Sequence, residues 1–236
     1  MSDDIERMRL GVLYALGLTL ANGAETDLYL GYDAVLGGSY PIDHPMLPFP
    51  CRRETHGYIE AIYMLREETS LHDDDVVSIV CAVSEQTFVE VCEPQAEKTA
   101  PQTTHEAKNS LPYCVAASLV LNKINRNSFS EEAIRNPRIR ALMQKVSCVA
   151  DPHIPAEESR VTVSRTRGKP VECVVTVPLG DPNNEMTADQ VYAHFRDDMI
   201  FARYGELADA AIAIVERIRT PSDTAALRDL FLKHPR

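Results

Sequence analysis

The segment Leu47-Pro48-Phe49-Pro50-Cys51-Arg52-Arg53-Glu54-Thr55-His56 gathers the residue types that small-acid chemistry needs. Two adjacent arginines offer bidentate hydrogen bonding to a carboxylate. His56 can donate or accept a proton near neutral pH. The prolines hold an extended approach, after which a helix is predicted to open at Arg53. Thr55 and His56 then fall in its first turn, where free N–H groups and the positive end of the helix dipole favour an anion. This is a candidate carboxylate-binding corner with Arg52, Arg53 and Cys51 as binding residues and His56 as an acid or base. The plainer reading is a solvent-facing basic helix start with a structural histidine.

Two further segments carry polar groups beside turn or helix signals. In Asn109-Ser110-Leu111-Pro112-Tyr113-Cys114-Val115-Ala116-Ala117, Tyr113 can present its hydroxyl as a proton donor. The small residues behind it fit close helix packing, and the competing reading is plain core. Pro178-Leu179-Gly180-Asp181-Pro182-Asn183-Asn184-Glu185-Met186-Thr187 is turn chemistry leading to an N-cap at Thr187. Asp73-Asp74-Asp75 lacks the spacing of a calcium loop and reads as a solvated loop or helix cap.

The elements that must position these residues follow from periodicity and punctuation. Helices are expected over residues 4–21, 53–68, 106–121 (with Pro112 pointing to a start at a Ser110 N-cap), 130–135, 137–145, 187–198, 206–219 and 222–233. The β-branched run 76–83 reads as a buried strand, with further strands at 88–92, 146–150, 160–164 and 171–177. Arg167-Gly168-Lys169 is a plausible hairpin turn between the last two. The Gly/Pro-rich stretch from Gly31 to Pro50 cannot be one regular element. The pattern is α+β: a small antiparallel-sheet domain with packed helices over residues 31–180, flanked by an N-terminal helix (1–30) and C-terminal helices (181–236) of a helical layer.

With 236 residues, 44% of them apolar, the chain can bury a substantial core. Its net charge of −11 disfavours nucleic acid and anionic membrane surfaces as partners. The expected location is the cytoplasm, since no apolar run is long enough to span a bilayer and no secretion signal is evident. Six scattered cysteines without a CxxC pair read as free thiols in a reducing compartment, with neither a disulfide framework nor a metal site.

Four segments, taken in order, resemble the MmgE/PrpD family, the group of 2-methylcitrate dehydratase and cis-aconitate decarboxylase. They are LPFPCRRETH (47–56), NSLPYCVAASLVL (109–121), RNPRIRALMQKVSCVAD (135–151) and PLGDPNNEMTADQVYAHF (178–195). The resemblance runs from about Gly31 to about Phe201 and corresponds to the C-terminal half of full-length members. It implies a cleft that handles small di- or tricarboxylates by dehydration, decarboxylation or epimerisation, with no metal or organic cofactor. It also implies that further catalytic groups come from a helical half that is not represented in this sequence.

By this resemblance Tyr113 matches a cleft-lining tyrosine. Leu47 stands where the family has a lysine, and Arg52 falls on its Cys-or-His position, with Cys51 one place earlier. The implied function is one subunit of a split lyase with a partner chain supplying the helical half. The alternatives are a non-catalytic, binding or regulatory family member, an isomerase or epimerase, and a homo-oligomer with a site of its own.

Overall fold

The computed structural model describes residues 2–21, 46–219 and 225–233. In chain order its main elements are helix α1 (Ser2–Ala21), helix α2 (His56–Thr69), strand β1 (Val76–Val83), helix α3 (Glu85–Val91), helix α4 (Leu111–Leu121), helix α5 (Pro137–Met143), strands β2 (Val146–Ala150), β3 (Ser159–Arg165) and β4 (Val171–Val175), and helices α6 (Ala188–Phe201), α7 (Ala208–Val215) and α8 (Ala225–Leu232). The class is α+β, as the sequence predicts. The chain divides into two compact units, Leu47–Asn184 and the combination of Met1–Met46 with Glu185–Arg236.

The larger unit is built on a four-stranded sheet of order β2-β1-β3-β4. The β1–β3 and β3–β4 pairs are antiparallel, and Gly168 at φ 87° serves the β3–β4 hairpin turn. The sheet is mixed, because β1 pairs with β2 in parallel, Cys81 opposite Cys148. Such a pair needs a long crossover, and the chain between Val83 and Val146 supplies it with α3, α4 and α5.

Alternation places Ile79, Cys81, Val161, Val163, Cys173 and Val175 on one face of the sheet. That face forms one core with Tyr58, Ile59, Ile62 and Leu65 of α2 and with α4. The α4 helix is apolar all round, and its residues from Leu111 to Val120 are all buried.

Local signals explain most boundaries. The Ser110 hydroxyl accepts from Tyr113 N, with Pro112 in the first turn, so α4 begins where the sequence places it. Residues 88–92, expected as a strand, lie instead in and just after α3. Ser84 caps that helix by accepting from Thr87 N, and β1 has already ended at Val83. The first turn after Arg52 is a tight 3-10 turn, Arg53–Thr55, and the α-helix proper begins at His56.

In the smaller unit α1 packs on α6, with Leu13, Leu20, Phe195 and Met199 in a common core joined by α7 and α8. Thr187 and Gln190 form a capping box at the start of α6. The Gly31–Pro50 connection lies largely outside the described residues.

Candidate active site at the start of helix α2

The backbone around residues 51–56 is tightly organised before any side chain is considered. Arg52 N donates to the Lys108 carbonyl at 3.0 Å, tying the segment to the turn before α4. Thr55 N and the Thr55 hydroxyl both donate to the Arg52 carbonyl, at 2.9 and 2.7 Å. Cys51 Sγ lies 3.1 Å from Thr55 Oγ1.

His56 is 1% exposed. Its Nε2 lies 3.2 Å from the Cys51 carbonyl, which can only accept, so Nε2 carries the proton. Its Nδ1 is a buried atom without a hydrogen-bond partner. Phe49 packs edge-on against the imidazole with ring centroids 5.2 Å apart.

These neighbours decide the chemistry of Cys51. Burial acts to raise its thiol pKa. Hydrogen bonding with Cys114 and His56, the charge of His56, and the Thr55 hydroxyl outweigh burial and bring it from 9.0 down to about 5. Cys114, fully buried on α4, moves the opposite way, raised well above 9.0 by burial and by Cys51. The arrangement is one ionisable thiol and one protonated thiol beside a buried imidazole.

The two arginines are engaged elsewhere. Arg52 donates to Glu54 at 3.0 Å and to Glu90 at 2.6 Å. Arg53 donates to Asp181 at 2.9 Å. A cleft of about 210 Å³ lies beside Arg53, with Glu54, Gly57, Gln86, Ser159 and Asp181 among its lining. Glu157 lines it too, so three carboxylates face a single guanidinium there. A polycarboxylate bound by Arg53 has to displace or neutralise Asp181.

Tyr113 is 1% exposed, and its hydroxyl donates to the Ser128 carbonyl at 2.6 Å. Burial raises its pKa. Among the described residues no hydrogen bond joins it to Cys51, His56, Arg52 or Arg53. The structure therefore brings Cys51 and His56 together and directs Arg52, Arg53 and Tyr113 to other partners.

The segment 178–184 is brought to the same end of α2. Leu179 N donates to Glu60 at 2.9 Å, Gly180 N to the Asn184 carbonyl at 2.8 Å, and Asn184 Nδ2 to the Val177 carbonyl at 2.9 Å. Three of the four segments singled out in the sequence thus converge on α2. Thr55 and Cys114 complete the thiol environment and were not among the expected site residues. Thr55 was legible as an i+4 neighbour of Cys51, whereas the approach of Cys114 depends on how α4 packs. Among the described residues no group of three or more His, Cys, Asp or Glu side chains is disposed to hold a metal ion. Among them, too, no helix is long and apolar enough to cross a membrane.

Residues 49–220 match the profile of the MmgE/PrpD C-terminal domain. The chain belongs to this family. The MmgE/PrpD region so defined contains Cys51, His56, Tyr113 and both arginines. The chain is also similar to cis-aconitate decarboxylase of Mus musculus, 24% identical over 211 residues. That alignment covers 80% of this chain and 40% of the mouse protein, so the chain spans well under two thirds of its relative.

Proposed function

We propose that this MmgE/PrpD C-terminal domain forms the α+β half of a lyase that dehydrates or decarboxylates a small di- or tricarboxylate. The remaining catalytic groups come from a helical half on a partner chain. The observation that carries the reading is the pairing of Cys51 with the buried His56 at the start of α2, inside the region that defines the family.

Elimination or decarboxylation next to a carboxylate needs cations on the carboxylates and a group that moves a proton at the reacting carbon. The bond between His56 Nε2 and the Cys51 carbonyl orients the ring and leaves Nδ1 as the nitrogen available for proton transfer. Arg52 and Arg53 border the same helix start and take up carboxylates once Glu90 and Asp181 yield them. Tyr113 serves as a positioning residue in this conformation, because its hydroxyl fixes the 128 backbone rather than an open cleft.

The test is native mass spectrometry of the tagged chain recovered from its own cells, followed by assays of the recovered species on cis-aconitate, citrate and related acids. Expected is a stoichiometric complex with a helical MmgE/PrpD-type chain that turns over one of them, while this chain alone does not. A homo-oligomer that recruits no such chain and leaves all of these acids untouched sinks the reading.

The second reading is a binding or regulatory family member without turnover. It is favoured by Leu47 at the position of the family's lysine and by the pairing of both arginines with acids of the same unit.

A further inference from the structure

We propose that Lys108 is a binding residue of this corner whose ammonium receives one carboxylate of the substrate. That the anion is a substrate rests on the lyase reading, whereas the anion site itself does not.

Backbone geometry puts Lys108 beside the arginine segment. It is the last residue of the short helix Thr104–Lys108, which Thr103 caps by accepting from Glu106 N at 3.2 Å. Carbonyls at a helix end find their partners outside the helix, and that of Lys108 accepts from Arg52 N at 3.0 Å. Lys108 and Arg52 are therefore neighbours across one hydrogen bond. The Lys108 side chain runs to Phe129, with Nζ 5.9 Å from the ring centroid. Tyr113 meets the same ring with centroids 5.8 Å apart. Lys108 thus links Arg52, through its backbone, to Tyr113 of α4, through the shared ring.

The ammonium lacks an anion. Among the described residues Lys108 forms no ion pair and no side-chain hydrogen bond. Its one side-chain contact, the Phe129 ring, lies at the outer limit of about 6 Å for a cation–π attraction. Arg52 and Arg53, by contrast, are held by Glu54, Glu90 and Asp181. Glu106, two residues from Lys108, accepts instead from Gln102 N at 2.7 Å.

Electrostatics point the same way. Lys108 is half-buried, and burial together with the neighbouring Arg126 cation holds its pKa below the ordinary 10.5, while Cys51 acts in the opposite sense. A carboxylate arriving at Nζ supplies the opposite charge that offsets both penalties. An ammonium is a compact charge with three donors and no acceptor, so the ligand it takes is an anion.

The test is calorimetric titration of the full chain with citrate, in wild type, Lys108→Met and Lys108→Arg. Expected is a loss of about ten-fold in affinity in Lys108→Met, the scale of one charge-assisted hydrogen bond. Lys108→Arg keeps the charge and should retain most of the wild-type affinity. A second readout needs no variant. Citrate at ten times its dissociation constant should slow acetylation of Lys108 about ten-fold, read by peptide mass spectrometry, and leave the exposed Lys169 unchanged. Equal affinity in wild type and folded Lys108→Met overturns the assignment, as does an unprotected Lys108 or a wild type that binds no citrate. Should Lys108→Met not fold, the acetylation decides. A partner complex that turns over no acid ends the lyase reading, and protection of Lys108 by citrate supports the anion site even then.

Discussion

Gly57 of α2 approaches Ser159 of β3 so closely that a Cβ on the glycine would stand 2.4 Å from Ser159 Oγ and 2.9 Å from its Cβ. The helix carrying His56 is thereby seated directly on the sheet, and the same contact floors the cleft beside Arg53.

Gly57→Ala should therefore lift the start of α2 off β3. The expected loss is about 1–3 kcal/mol of stability, typical of overpacking in a filled core. Denaturant unfolding measures it. Adding Ser159→Gly should recover most of the loss, and a double variant no better than the single one would exclude this contact as the cause.

Tyr113→Phe deletes the bond to the Ser128 carbonyl and leaves that acceptor unpaired. A cost of about 1–2 kcal/mol is expected for a buried hydrogen bond of this kind. If Tyr113 is a positioning residue, the active complex keeps its pH–rate profile and loses turnover only modestly. Disappearance of one limb of the profile would instead place the phenol in proton transfer.

Glu90→Gln removes the nearest carboxylate from Arg52. With only Glu54 left on the guanidinium, citrate should bind about five-fold more tightly by titration calorimetry, the scale of an exposed ion pair. An unchanged dissociation constant would remove Arg52 from the carboxylate clamp.

Asp73 is held below the ordinary carboxylate range, chiefly by its hydrogen bond to Arg138, which donates from Nε and Nη2 at 3.0 and 2.7 Å. A depressed folded pKa stabilises the fold fully above the unfolded value of 3.8 and ceases to do so as pH falls through the lower folded value. Thermal melts from pH 6 to pH 2 should show a shallower acid limb in Asp73→Asn than in wild type. Parallel curves would show that this pair does not contribute to the acid limb.

Much of the fold was legible because the signals are local. Ser110 with Pro112, Thr187 with Gln190, and Gly168 between two β-branched runs each fix an element boundary within a few residues of themselves. Residues 88–92 misled because Phe, Val and Cys suit a strand, while the Ser84 cap that makes them helical lies four residues upstream. The parallel placement of β2 was not legible: its hydrophobic pattern is the same in either direction, and its partner is more than sixty residues away.

The same division governs the site. By itself the sequence determined that cysteine, threonine and histidine stand within six residues at a helix start, because helical spacing converts that order into proximity. Tertiary structure alone decided what they and their neighbours meet. Glu90 and Asp181 reach the arginines from 38 and 128 residues away, and Cys114 reaches Cys51 only because α4 packs against α2. Charge and burial at a side chain are sums over spatial neighbours, and chain order fixes only those within about a helical turn.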